Sequence, residues 1–177
     1  MKIYLVRHGE TVSDIEDRFG GQWQDDLHTD NGKAQIKETA QKLADKNIEF
    51  IFSSPLIRAH DTAKAISETT GCSVEVIDGL KERHCGVITG MTKTEAKQKY
   101  PEAFERHYDH SYTHPEGESY DDFYVRVTEA FKLIKKRNNK TIAIVGHGGS
   151  LKSILKFLNQ PLPDKIADGG IIEVDIG

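Results

Sequence analysis

The stretch Ile3-Tyr4-Leu5-Val6-Arg7-His8-Gly9-Glu10-Thr11 decides the fold: four β-prone residues run straight into a charged pair and a glycine. Its counterpart is Thr141-Ile142-Ala143-Ile144-Val145-Gly146-His147-Gly148-Gly149, another apolar run that stops at a histidine between glycines. Short apolar runs closed by turn residues read as buried strands, here with a histidine at each carboxyl end. Ligands of open α/β sheets bind in the crevice beyond those ends. A lone histidine at a strand end is ordinarily structural. Two of them, one beside an arginine, mark a site.

Outward from these runs, strand and helix signals alternate. A polar, glycine-broken loop spans Ser13 to Asn31, and Ile36, Ala40, Leu43 and Ala44 then recur at helical spacing after Gly32. Phe50-Ile51-Phe52 reads as a strand ended by Ser53-Ser54-Pro55, followed by a helix carrying Ile57, Ala63 and Ile66. Val74-Glu75-Val76-Ile77 is a third strand. From Asp78 to Gly117 the pattern loosens. Ser119-Tyr120-Asp121-Asp122 then resembles a capping box, with Phe123, Val127, Ala130, Phe131 and Ile134 as one apolar face behind it and Lys135-Lys136-Arg137 at its end. A helix from about Ser150 to Leu158 and a strand at Ile171-Ile172-Glu173-Val174 complete the series. Such alternation predicts an α/β fold, a three-layer sandwich around a mostly parallel sheet, with helices on both faces. The expected organisation is one domain over 1–177, with a small insertion near 79–118 capping the site.

Composition narrows the function. The 177 residues are 37% hydrophobic and 29% charged, ordinary for a globular domain with a proper core. A formal charge of −4 and a pI near 6.1 count against nucleic-acid and membrane-surface partners. No apolar run approaches the roughly 20 residues of a membrane span, and Arg7-His8 cut the first run too short for a signal segment. Cys72 and Cys85 form no C-x-x-C pair and are read as reduced thiols of a cytoplasmic protein.

A third segment sharpens the chemistry. Ser53-Ser54-Pro55-Leu56-Ile57-Arg58 leaves the second strand and opens a helix, so Arg58 falls on a first turn where anions are favoured. Guanidinium groups from Arg7 and Arg58 suit bidentate bonds to phosphate or carboxylate oxygens. An imidazole held between them would face an electrophilic phosphorus. It is a competent nucleophile when one ring nitrogen is free and the other is held by an acceptor. Glu82, in the loop after the third strand, is the carboxyl best placed to donate a proton to the leaving oxygen. Trp23 and the aspartates after it, Asp25 and Asp26, are expected to fix the entrance loop.

Four blocks in order, Arg7-His8-Gly9-Glu10-Thr11, Ser53-Ser54-Pro55-Leu56-Ile57-Arg58-Ala59, Glu82 with Gly86 and Gly90, and Gly146-His147-Gly148-Gly149, resemble the histidine phosphatases, the phosphoglycerate mutase-like superfamily. The resemblance implies a phosphohistidine mechanism with neither metal nor cofactor. By it, His8 is the nucleophile, Arg7, Arg58 and His147 hold the phosphoryl oxygens, and Glu82 is the acid and then the base. The same likeness lines the pocket with Thr11, Asp14, Gly20, Gly21 and Gly148. Three positions depart from the family pattern. Asp14 stands where asparagine is common, so its carboxylate is expected to be protonated, turned away or paired with Arg18. His28 replaces a small or apolar residue, and Lys152 stands where arginine is frequent.

Arg83 and Lys93 look like the substrate segment of cofactor-dependent mutases, whereas Tyr100-Pro101-Glu102-Ala103-Phe104 and Gly117-Glu118-Ser119-Tyr120 resemble small phosphatases. Only 65 positions separate Glu82 from His147, Arg106 is the sole arginine between residues 84 and 125, and 30 residues follow His147. Mutases of this superfamily usually carry a longer insertion, paired arginines and a covering tail. The expectation is therefore a phosphomonoesterase acting on a small phosphorylated metabolite. The alternatives are a phosphoglycerate mutase or a catalytically silent phosphate-binding relative. A homodimer is compatible with this reading. His107, Asp109, His110 and His114 invite a metal reading, but without H-E-x-x-H they are expected at the surface of a mobile cap. Cys85 is expected to be a packed thiol. No dinucleotide loop, P-loop or complete nucleophile elbow is present.

Overall fold

The computed structural model describes residues 1–23 and 26–177; Asp25 lies outside them. Five strands form one sheet: β1 (Lys2–Arg7), β2 (Phe50–Ser53), β3 (Val74–Val76), β4 (Thr141–Gly146) and β5 (Ile171–Asp175), in the order β3-β2-β4-β1-β5. Every neighbouring pair is parallel except β1 with β5. The expected α/β sandwich around a mostly parallel sheet is the architecture observed.

Alternation along the strands assigns the two faces. Ile3, Leu5, Phe52, Ile142 and Ile144 pack against α6 (Tyr120–Lys135) and α7 (Gly148–Phe157). Tyr4, Val6, Ile51, Ala143 and Val145 pack against α2 (Asp30–Leu43) and α3 (Ile57–Thr70). Two helices start earlier than their apolar patterns suggest. α2 begins at Asp30 because the Thr29 hydroxyl accepts the Gly32 N–H at 2.9 Å, an N-cap that the periodicity does not reveal. α7 begins at Gly148, so both glycines after His147 are helical. The Ser119 cap is as expected, with its hydroxyl accepting the Asp122 N–H at 3.0 Å. A four-residue helix, α1 (Val12–Ile15), interrupts the entrance loop.

Register brings the strand ends together. Arg7 pairs with Gly146 and Ser53 with Val145, so β1, β4 and β2 finish side by side. Three chain segments remote in sequence therefore meet at one edge.

The segment from Asp78 to Glu118 covers that edge with two 3₁₀ turns, α4 (Lys93–Lys99) and α5 (Pro101–Glu105). It encloses a small cluster of its own, Cys85, Ile88, Ala96 and Ala103 with Phe19. The histidines here depart from the surface expectation. His114 is buried, its Nε2 lies 3.1 Å from Nδ1 of His107, and the His107 ring packs 4.5 Å from Phe19. His110 is exposed and stacks on Tyr120 at 3.8 Å. The cause is packing: two neutral imidazoles fill the cap interior where sequence periodicity is absent. Among the described residues, no group of three or more His, Cys, Asp or Glu is arranged to hold a metal ion.

Burial first holds His107 and His114 at about 4, helped at His107 by the adjoining His114 ring and then Arg83 and Lys93, and at His114 by Arg83. An unfolded histidine takes a proton near pH 6.5. Between pH 6.5 and 4 the unfolded chain therefore binds more protons than the folded one, and stability falls as pH drops. Urea midpoints measured from pH 7 to 4.5 are expected to decline in that window, and less steeply in His114→Gln. An equal decline in both proteins would remove His114 from the acid response.

Candidate active site

A cavity of about 660 Å³ opens at the shared strand edge, lined by Arg7, His8, Arg58, Glu82 and His147. Because β1 and β4 are parallel neighbours, the two histidine rings face each other with centroids 5.2 Å apart. Nδ1 of His8 lies 2.8 Å from the Gly9 carbonyl oxygen. A carbonyl only accepts, so Nδ1 carries the proton and Nε2 keeps its lone pair. Burial first, then the Arg58 and Arg7 guanidinium groups, pushes His8 well below the usual imidazole range. Burial, with Arg58 and then His8, does the same to His147. Both rings are neutral at neutral pH.

The arginines are anchored from behind. Arg58 is 3% exposed; Nη2 donates to the Gly21 carbonyl at 2.6 Å and Nη1 to the Trp23 carbonyl at 3.0 Å, with Asp26 at 3.5 Å. Gly21 turns there with φ +48°, a left-handed conformation natural to glycine. Asp26 also accepts the Ser13 N–H and the Thr11 hydroxyl, so it fixes the entrance loop as expected. Arg7 donates Nη1 to the Ile166 carbonyl at 2.7 Å and pairs through Nη2 with Asp168 at 2.8 Å and Asp14 at 3.3 Å.

Asp14 is thus paired with Arg7 and not with Arg18, which binds Glu16, the Gly90 carbonyl and, more distantly, Glu95. The reason is local: Asp14 caps α1 by accepting the Thr11 N–H and hydroxyl, which turns it toward Arg7. Among the described residues, Nε of Arg7, Nδ1 of His147 and Nη2 of Arg83 are buried with no hydrogen-bond partner. Unpartnered polar atoms of this kind are costly unless a ligand meets them.

Glu82 reaches into the same cavity. Its Oε1 accepts the Arg83 N–H at 2.9 Å and Oε2 the Gly149 N–H at 2.8 Å, at the first turn of α7. A Cβ at position 149 would overlap this carboxylate, so any larger residue there would push Glu82 out of its present position. Thr11, Asp14, Gly20, Gly21, Arg83, Lys93 and Gly148 all line the cavity. Two of them are already engaged: the Thr11 hydroxyl by Asp14 and Asp26, and Lys93 by Asp17 at 2.5 Å. Cys85 is packed, its thiol pushed up to about 12 by burial.

The sequence reading missed Asp168 behind Arg7 and the hydrogen bond of 2.8 Å between Ser54 Oγ and His147 Nε2. Ser54 was legible as part of the Ser-Ser-Pro block. Asp168 carries no local signal.

Comparison with known proteins agrees with this geometry. Residues 3–169 match the histidine phosphatase superfamily (branch 1). The chain belongs to that superfamily. A metal-independent phosphoserine phosphatase of Arabidopsis thaliana is 36% identical over 167 residues, covering 90% of this chain and 69% of the relative. A 2,3-bisphosphoglycerate-dependent phosphoglycerate mutase 2 of Gloeobacter violaceus is 31% identical over 172 residues, covering 93% and 78%. Among solved structures, Bacillus stearothermophilus YhfR superposes with a TM-score of 0.90 at 29% identity, over 99% of this chain and 91% of that one. No described helix is long and apolar enough to cross a membrane.

Proposed function

We propose that the protein is a metal-independent phosphomonoesterase that hydrolyses a small phosphorylated metabolite through a phosphohistidine on His8. The observation that carries this reading is the His8 imidazole, neutral, oriented by the Gly9 carbonyl and flanked by the buried Arg58 and the half-buried Arg7. Nε2 attacks phosphorus as the ester P–O bond breaks, and the Glu82 carboxyl gives its proton to the departing oxygen. Water then attacks the phosphohistidine and passes a proton to the Glu82 carboxylate. The P–N bond breaks and inorganic phosphate leaves. Arg7, Arg58 and His147 hold the non-bridging oxygens, the unpartnered Nε of Arg7 and Nδ1 of His147 among the contacts.

The test is phosphate release from a panel of monoesters in EDTA, with O-phosphoserine first because a named relative acts on it. Release that persists in EDTA is expected. Release abolished by EDTA and restored by a divalent metal would overturn metal independence. Release only in the presence of a bisphosphate primer would favour the mutase reading.

Glu82→Gln is expected to slow alkyl phosphates by about 100-fold or more, while p-nitrophenyl phosphate, which needs little proton donation, loses far less. Equal losses on both substrates would take Glu82 out of the acid role.

A further inference from the structure

Behind Glu82 stands a guanidinium with no free donor. Arg126, on α6, donates Nε to Glu118 Oε1 at 2.7 Å and Nη2 to Glu118 Oε2 at 2.8 Å, a bidentate pair. Its Nη1 donates to the Gly79 carbonyl at 2.9 Å and the Lys81 carbonyl at 3.2 Å, and Nη2 also reaches the Glu82 carbonyl at 3.3 Å. Arginine has five N–H groups, and these five bonds use them all.

Three of the five hold the backbone that leads into Glu82. The Glu82 carbonyl takes a further bond, from Gln22 Nε2 at 3.0 Å. Glu118 secures the far side of the segment: its N–H donates to the His84 carbonyl at 3.0 Å. Its Oε2 also receives the His84 N–H at 3.4 Å. The side chains of Arg126 and Glu118 are 25% and 17% exposed, so the pair is largely shielded from water.

We propose that Arg126, oriented by Glu118, is a positioning residue that fixes the Glu82 backbone so that its carboxyl meets the leaving oxygen. The inference rests on the reading of Glu82 as the proton donor. The chemistry demands such a clamp. Residues 82–84 have neither helix nor strand bonds to hold them, yet the carboxyl must sit within hydrogen-bond reach of one substrate atom. A displacement of about 1 Å costs on the order of 100-fold in rate. Lysine, with three donors on a point charge, cannot reproduce the five-bond fork.

The experiment measures kcat and KM for the best alkyl phosphate of the panel and for p-nitrophenyl phosphate. The proteins are native, Glu82→Gln, Arg126→Met, Arg126→Lys, Glu118→Gln and the Arg126→Met, Glu82→Gln double variant, each checked for folding by circular dichroism. Arg126→Met is expected to lower kcat on the alkyl phosphate by about 100-fold with little change in KM. Its loss on p-nitrophenyl phosphate is expected to be small, and Arg126→Lys should recover only part of the rate. In the Glu82→Gln background, Arg126→Met should cost nothing more.

Equal losses on both substrates, or a full additional loss in the double variant, would overturn the proposal, since a purely structural staple predicts both. If Arg126→Met does not fold, Glu118→Gln decides. The same substrate-selective loss supports positioning, and its absence sinks it. If Glu82→Gln itself shows no substrate selectivity, the reading of Glu82 has failed. If Glu82→Gln is selective and the Arg126 variants are not, only the positioning inference has failed.

Discussion

On the proposed reading, His8→Ala is expected to abolish phosphate release, with a loss on the order of 10⁶-fold, the scale seen when a covalent nucleophile is removed. The fold survives the change. His8 is 5% exposed but belongs to none of the apolar clusters, and its side chain makes one hydrogen bond, to the adjacent Gly9 carbonyl. Arg7 and Arg58 remain in place behind it, so inorganic phosphate should still bind. Rapid acid quenching and intact-protein mass spectrometry read the outcome directly. Native protein mixed with substrate gains one acid-labile phosphoryl group, and His8→Ala gains none. A phosphoenzyme in the variant would move the nucleophile elsewhere.

Arg58→Met is expected to cost about 3–5 kcal/mol of folding stability, the range for breaking a buried charged pair from one side. It leaves the Asp26 carboxylate, 1% exposed, without its cation and strips donors from the Gly21 and Trp23 carbonyls. On the proposed reading, in which Arg58 faces the phosphoryl oxygens, turnover is expected to fall as well, by roughly 10²–10³-fold. Adding Asp26→Asn should recover part of the stability, since the uncompensated charge is gone, and none of the phosphate affinity. Urea unfolding and phosphate titration separate the two effects. An Arg58→Met protein as stable as the native one would mean that water already screens Asp26.

The legible features are those written in local pattern. Ile3 to Val6 and Thr141 to Val145 announce strands by composition, and the residues just beyond them are fixed by where a strand must stop. Arg58 follows from a strand, a Ser-Ser-Pro turn and a helix start. What stayed hidden depends on distant partners. Asp168 meets Arg7 across 161 positions only because β5 lies antiparallel to β1 and sets the preceding loop beside it. Arg126 looks like one more charge on an amphipathic helix, and Glu118 like part of a turn. Their use is visible only once the segment before Glu82 lies between them. His107 and His114 depart from the expected surface position for a related reason. A cap built from one-turn elements has no periodicity, so burial there cannot be read from spacing.

The position of β1 has a consequence for synthesis. Its two neighbours in the sheet are β4 and β5, the last strands in the chain. During synthesis β1 therefore keeps one edge open until β4, ending at Gly146, has emerged, and the other until β5, ending at Asp175. Ile3, Leu5 and Val6, each 0% exposed in the finished fold, spend that interval without cover. Such long-range closure makes for slow folding and leaves a strand edge open to pairing with other chains. The nascent chain is thus aggregation-prone at β1 from its emergence until β4 and β5 are made, and a holdase would do the most good in that interval.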